Sequence, residues 1–112
     1  MDEDQALAAF GAMAQETRLR ILRLLVRAGP EGMAAGAIAE AAGVSPSNVS
    51  FHLKEIQRAG LAAARRDSRS IIYCAEYEAL SGLIRFLMED CCAGRPEICS
   101  PALRRSPCLT EA

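Results

Sequence analysis

Glycine and proline divide most of this chain into segments that have room only for short helices and strands. Gly29-Pro30 ends a segment rich in leucine and arginine, and Gly43 ends a segment of small residues. Ser45-Pro46 then begins a further segment. Glycine is favoured directly after a helix, proline in its first turn and serine at its N-cap. The pattern therefore predicts several short helices with defined ends.

Apolar residues recur at helical spacing within these segments. Aromatic residues make up only 4% of the sequence, which also favours helices over sheets. In the first segment the predicted apolar face is Leu7, Phe10, Met13 and Ala14, and in the second it is Leu19, Leu22, Leu25 and Val26. The predicted helices are residues 4–14, 16–28, 34–42, 46–59 and 76–92.

A β-hairpin is predicted between the last two helices. Residues 61–66 and 69–75 flank Asp67-Ser68, and the second arm is rich in β-branched and aromatic residues. We therefore predict a mainly α-helical domain with a hairpin over residues 1–92. Residues 93–112 are predicted to form a flexible tail.

Size and composition restrict the class of protein. A chain of 112 residues and 12.0 kDa fits one domain. It has no run of about 18 apolar residues, so we expect no membrane span. The acidic N-terminus does not look like a signal peptide, and the chain has five cysteines. We expect a cytoplasmic protein with reduced thiols.

Two short helices joined through Gly43-Val44 and followed by a hairpin form the order of a winged helix-turn-helix. Residues 46–59 would be the helix that enters the major groove of DNA. Its predicted inward face is Val49, Leu53 and Ile56. The residues left to contact DNA are Ser47, Asn48, Ser50, Phe51 and Lys54.

Arginines close to the hairpin tip are candidates for contacts to the DNA backbone or the minor groove. They are Arg65, Arg66 and Arg69. His52 lies beside the inward face of the predicted recognition helix. It is either a core or interhelical hydrogen-bonding residue or a DNA contact.

The net charge of the whole chain, -1, hides a local excess of positive charge. Residues 18–70 contain nine basic and four acidic side chains, a balance of +5. A charged helix face is usually only solvated. Here the positive charge coincides with the predicted helix and hairpin, which favours a nucleic-acid partner.

Three segments occur in an order that resembles a known family. They are ETRLRILRLL, AAGVSPSNVSFHLKEIQRAGL and RRDSRSIIYC. Over residues 5–92 the chain resembles the ArsR (arsenical resistance operon repressor) family of winged-helix metalloregulators. The resemblance implies a homodimer, built from the first and last helices, that binds double-stranded operator DNA until a metal or metalloid binds. It places Ser47, Asn48, Ser50 and Phe51 at the DNA-facing positions.

Large apolar side chains on the first and last predicted helices agree with a homodimer. They exceed what a small monomer needs to cover its core. The candidates for the dimer interface are Leu7, Phe10, Leu83, Ile84 and Leu87, with Phe86 as a further candidate.

Two metal sites common in this family have no ligands here. The helix before the recognition helix reads AAGAIAEAA, without the family's cysteine pair, and residues 76–92 contain no histidine. Cys91, Cys92 and Cys99 remain, next to the helix breakers Gly94 and Pro96. Thiolates favour thiophilic ions, and As(III) needs three of them where zinc generally needs four ligands. The fragment CCAGRPEIC also resembles the C-terminal arsenic-binding cluster of one family branch, which implies these cysteines as its ligands.

Several alternatives remain open for these cysteines. The same repressor could sense antimonite, methylarsenite, cadmium, lead or bismuth, or form a disulfide. The pair could also consist of small apolar residues that finish a helix. Cys74 is expected in the core, and Cys108 is a spare ligand, an intermolecular contact or neither.

An enzyme is the rival class. Cys99 and Arg105 fit the C-x5-R spacing that thiol-dependent arsenate reductases and phosphatases use for oxyanions. The intervening SPALR has no glycine, and Pro101 removes an amide donor. We therefore expect no enzymatic activity and no organic cofactor.

Overall fold

The computed structural model of the protein describes residues 1–88. The predicted tail, residues 93–112, lies outside this range, as do Cys91, Cys92, Cys99 and Cys108. The helices are α1 (Glu3–Met13), α2 (Glu16–Ala28), α3 (Ala35–Ala42), α4 (Pro46–Arg58) and α5 (Tyr77–Met88). The strands are β1 (Met33–Ala34), β2 (Ala62–Asp67) and β3 (Ser70–Ala75), and a 3₁₀ turn covers Gly29–Glu31.

Side-chain caps begin three of these helices. Asp2 and Gln5 form a reciprocal capping box at α1, in which the backbone N–H of Gln5 donates to the Asp2 carboxylate over 2.7 Å. The Gln15 side chain caps α2, and the Ser45 hydroxyl accepts from the Asn48 amide at α4. All five predicted helix starts agree with the structure to within one residue, and these caps fix three of them.

The core is formed mainly by α2, α4 and the strand ends. Its fully buried large side chains include Ile21, Leu25, Ile38, Leu53, Ile56, Leu61 and Val49. The fully buried residues of helix α1 are all alanines, Ala6, Ala9 and Ala12, and Met13 packs partly against the same core. Among the described residues no polar or charged side chain is fully buried.

The predicted apolar face of α2 is partly wrong, and that of α1 is divided between the core and solvent. In α1 the large residues Leu7 and Phe10 are exposed, because the alanines occupy the inward face. In α2 Leu19 and Val26 are exposed, and Ile21 joins Leu22 and Leu25 in the core. The α2 helix is rotated from its predicted orientation because Ile21, Leu22 and Leu25 point inward together.

The hairpin is present, and it pairs with a third strand that the sequence does not predict. The sheet order is β1-β3-β2, and both neighbouring pairs are antiparallel. Asp67 pairs with Ser70, so the turn residues are Ser68 and Arg69, one position later than predicted. Ser68 adopts the left-handed conformation, with φ of 58°.

Gly32 lies where the chain enters β1 and has no space for a side chain. Its φ is +73°, and a Cβ there would meet the Tyr73 carbonyl oxygen at 2.5 Å and the Cys74 Sγ at 2.7 Å. Gly60 has a similar φ of +81° but nothing within 4 Å of the same position. A comparison of substitutions at the two glycines therefore separates the cost of backbone strain from the cost of crowding.

We predict that Gly32→Ala destabilises the protein more than Gly60→Ala. Left-handed strain costs about 1–2 kcal/mol at either position, and crowding at Gly32 adds about 1–3 kcal/mol. Urea denaturation of both variants measures the difference. Equal losses would show that β3 moves away from Gly32 without cost.

Candidate nucleic-acid interface

Helices α3 and α4 form the helix-turn-helix, and Gly43 makes the turn between them. Gly43 adopts the left-handed conformation, and its N–H donates to the carbonyl of Ala39 over 2.9 Å. Ser45 then caps α4. Helix α4 buries Val49, Leu53 and Ile56, each 1% exposed, which confirms its predicted inward face.

The opposite face of α4 is exposed to solvent along its length. Phe51 is 56% exposed, which is unusual for a large aromatic side chain. All of the predicted DNA contacts on this helix lie on exposed positions: Ser47, Asn48, Ser50, Phe51 and Lys54. Their position on the exposed side follows from the burial of the other face. Their contact with DNA stays a prediction.

The hairpin presents Arg66 and Arg69 next to its turn. Arg66 pairs with Ile71 near the end of β2, Arg69 is a turn residue, and both are exposed. Arg65 differs from them, because its guanidinium is bonded to the body of the protein. It donates to the carbonyls of Pro30 and Glu31 and to the Cys74 Sγ.

Internal pairing reduces the charge that is available to a partner. Arg20 donates to Glu16 and to the Ala42 carbonyl, and Arg58 forms an ion pair with Glu55 at 2.9 Å. These pairs are exposed and contribute little to stability. Part of the positive charge of residues 18–70 is thus compensated by neighbouring carboxylates.

His52 lies at the edge of the buried face of α4, and its ring contacts Phe51 edge-on with centroids 5.3 Å apart. Its Nδ1 is buried and has no hydrogen-bond partner among the described residues, and the same is true of the Arg18 Nε. Burial, and then the positive charge of Arg18, lower the pKa of His52 below its ordinary value, while Glu55 acts in the opposite direction. His52 is therefore a partly buried residue that favours its neutral form.

Helices α1 and α5 carry an exposed apolar surface, which we call the α1/α5 surface. It consists of Leu7 (62% exposed), Phe10 (36%), Ile84 (53%) and Leu87 (57%). Leu83, predicted in the dimer interface, is only 4% exposed within one chain and packs in its core. Helix α5 turns Leu83 inward, so the exposed part of the predicted dimer interface consists of the other predicted residues. Phe86 is half-buried and packs against the core.

The predicted arsenic ligands lie outside the described residues. Within residues 1–88, no group of three or more His, Cys, Asp or Glu side chains has a metal-binding arrangement. Cys74 is partly exposed rather than buried in the core, and its thiol donates to the Pro30 carbonyl over 3.3 Å. No helix in the described part of the chain is long and apolar enough to span a membrane.

Known proteins share this architecture and much of this sequence. A family profile described as a helix-turn-helix domain matches residues 13–64. The nodulation protein NolR of Rhizobium meliloti is 37% identical over 89 residues, which cover 78% of this chain and 70% of NolR.

Two solved structures extend the similarity to the whole fold. An ArsR-like transcriptional regulator from Rhodococcus sp. RHA1 has a TM-score of 0.72 at 25% identity and covers 92% of this chain and 95% of its own. The homodimeric winged helix-turn-helix DNA-binding domain Mb0332 of Mycobacterium bovis, a possible ArsR-family regulator, has a TM-score of 0.62 at 31% identity. That match covers 78% of this chain and 81% of the Mb0332 chain.

The exposed α4 face, the hairpin and these relatives define a transcriptional regulator with a winged helix-turn-helix, and not an enzyme. Within that class, the chain belongs to the ArsR family.

We predict that His52 makes the protein less stable in mild acid. Since its pKa is lower in the folded protein, the unfolded chain binds the proton more tightly. Stability is therefore full above the unfolded pKa of about 6.5 and decreases as the pH falls below it.

Thermal melts of the wild type and His52→Gln at about pH 7.5 and about pH 5.5 measure this effect. We expect a smaller loss in the variant, because glutamine does not titrate. The same loss in both proteins would assign the pH dependence to other groups.

Proposed function

We propose that this ArsR-family regulator is a dimeric repressor that is released from its operator when As(III) binds Cys91, Cys92 and Cys99. The single observation that carries the DNA-binding part is the exposed polar face of α4 beside the arginine-bearing hairpin. The arsenite part rests on the sequence of the cysteine cluster.

The proposal that the protein binds DNA rests on the exposed face of α4 and on the hairpin beside it. Short polar side chains such as Ser47 and Asn48 can hydrogen-bond to base edges, and Phe51 offers an apolar contact for a thymine methyl group. Arg66 and Arg69 provide charges for backbone contacts. A recognition helix and a wing on one protomer suit one half of a symmetric operator.

The proposal that the protein is a dimer rests on the α1/α5 surface. Four large apolar side chains exposed on two contacting helices cost free energy in water and favour burial against a second copy. The Mycobacterium bovis relative, which is homodimeric, supports this assembly. A twofold dimer would present two copies of α4 to the two halves of an operator.

The arsenite part follows from the chemistry and position of the cysteines. Three thiolates satisfy As(III), and the sequence has three cysteines within nine residues, from Cys91 to Cys99. Cys91 follows Leu87 of the α1/α5 surface by four residues in the sequence. Ligand binding there would act on the end of the dimer helix and so on the spacing of the two α4 helices. Such coupling requires that As(III) bind free protein more tightly than DNA-bound protein.

Other thiophilic ions and oxidation remain competing signals for the same cluster. The relatives do not select among them, since NolR is named for nodulation. Antimonite, methylarsenite, cadmium, lead and bismuth share the preference for thiolates. Binding stoichiometry under arsenite, together with thiol counts under arsenite and under peroxide, separates a metalloid sensor from a redox switch.

We predict that arsenite dissociates the wild-type protein from the promoter DNA of its own gene. Cys99→Ser should bind the same DNA but fail to respond, because it retains two of the three thiolates. Cys108→Ser is the matched control and should respond like the wild type. Gel-shift titration of each protein with arsenite measures the effect. A normal response from Cys99→Ser would refute the three-thiolate site.

We predict that Leu87→Glu weakens dimerisation by at least about tenfold, because a buried carboxylate without a partner costs more than about 1.4 kcal/mol. Leu19→Glu is the matched control, since Leu19 is 45% exposed on α2, a helix that contributes no residue to the α1/α5 surface. Sedimentation equilibrium of both variants measures the dissociation constant. Equal effects of the two substitutions would place the dimer interface elsewhere.

A further inference from the structure

Arg65 connects the hairpin to the 3₁₀ turn that precedes β1. Its Nη2 donates to the Glu31 carbonyl over 3.0 Å, and its Nη1 donates to the Pro30 carbonyl over 3.3 Å. The same Nη1 lies 3.0 Å from the Cys74 Sγ. One guanidinium therefore contacts three groups that are 9, 34 and 35 residues away in sequence.

The sheet order explains why this contact needs a long side chain. Strand β3 lies between β1 and β2, so the chain that enters β1 is about two strand spacings, roughly 10 Å, from β2. Arg65 pairs with Ile72, and Cys74 is two residues further along β3, on the same face of the sheet. The Arg65 side chain thus crosses β3 over Cys74 to reach the turn.

Small groups beneath the guanidinium make the crossing possible. Cys74 has a short side chain, and its thiol also donates to the Pro30 carbonyl. Gly32 packs against it so closely that any side chain there would overlap the Cys74 Sγ. These groups form one connected cluster, which we call the wing anchor. It consists of Arg65, Cys74, Gly32 and the carbonyls of Pro30 and Glu31.

We propose that Arg65 is a positioning residue that fixes the hairpin against the helical body, so that Arg66 and Arg69 are held where DNA binds. This inference rests on the proposed binding of operator DNA. A strand pair that extends beyond its sheet is flexible without tertiary support. The β1 strand supplies only two residues of pairing to β3, with Tyr73 and Ile72. The wing anchor adds a connection from β2 across β3 to the body.

The shape of the side chain matters more than its charge in this role. Arginine donates in two directions from one rigid plane, and two of its nitrogens reach two consecutive carbonyls. Lysine has the same charge but a single ammonium group. Arg65→Lys should therefore lose the anchor, whereas a lysine replaces an arginine adequately at a simple phosphate contact.

Operator affinity, measured by fluorescence anisotropy, tests this role in two backgrounds. In the wild-type background we expect Arg65→Gln and Arg65→Lys each to weaken binding by about tenfold, the effect of losing charge-assisted hydrogen bonds. In the Arg66→Gln, Arg69→Gln background we expect Arg65→Gln to have little further effect, because the hairpin then carries no charges to position. Arg66→Lys is the matched control and should retain most of the affinity.

Three results would overturn the proposal, two from DNA binding and one from hydrogen exchange. If Arg65→Lys binds like the wild type, or if Arg65→Gln costs the same in both backgrounds, Arg65 contacts DNA through its charge. Hydrogen exchange of the β2 and β3 amides in the free protein tests the anchor without DNA, and we expect faster exchange in Arg65→Lys. If the exchange is faster but the wild type does not bind its promoter, the proposed function fails and not the anchor. If exchange is unchanged, the anchor itself is refuted.

Discussion

The apolar contact between α2 and α4 determines the rest of this structure. Ile21, Leu22 and Leu25 of α2 and the inward residues of α4 are almost completely buried. Burial of apolar surface stabilises a fold by about 25 cal/mol per Å² and has no preferred direction, so the direction comes from the spacing of the residues. Since Val49, Leu53 and Ile56 face inward, the rotation of α4 about its axis is fixed. The DNA-reading face is thus set by the core that lies beneath it.

Much of the fold was predictable because its signals are local. Capping residues, glycine after helices and the spacing of Val49, Leu53 and Ile56 act within a few residues of the chain. The two-residue strand β1 gave no such signal, because it exists only through pairing with β3, about 40 residues later. The anchoring role of Arg65 was hidden for the same reason. Its sequence neighbours are arginine and alanine, and its partners are backbone carbonyls from a distant turn.

Periodicity failed where two faces of a helix were both apolar. In α1 the apolar spacing picked out Leu7 and Phe10 but not Ala6, Ala9 and Ala12, which are the residues that the helix buries in the core. Leu83 and Ile84 are neighbours of similar character in α5, and the sequence does not tell which one the core takes. The residues on α4 were predictable because their polar and apolar faces differ clearly. The cysteines were selected by thiol chemistry and by the resemblance of one sequence fragment to a known cluster, and they lie outside the described residues.

In the proposed dimer, the alanine face of α1 makes the stability of each protomer depend on protein concentration. Alanine buries little apolar area, so α1 gains little free energy from packing on the rest of its own chain. Its larger side chains gain free energy only when a second copy covers them. Mass action then links the free energy of unfolding to protomer concentration. A regulator built in this way is most easily unfolded, and most open to proteolysis, when the cell makes little of it.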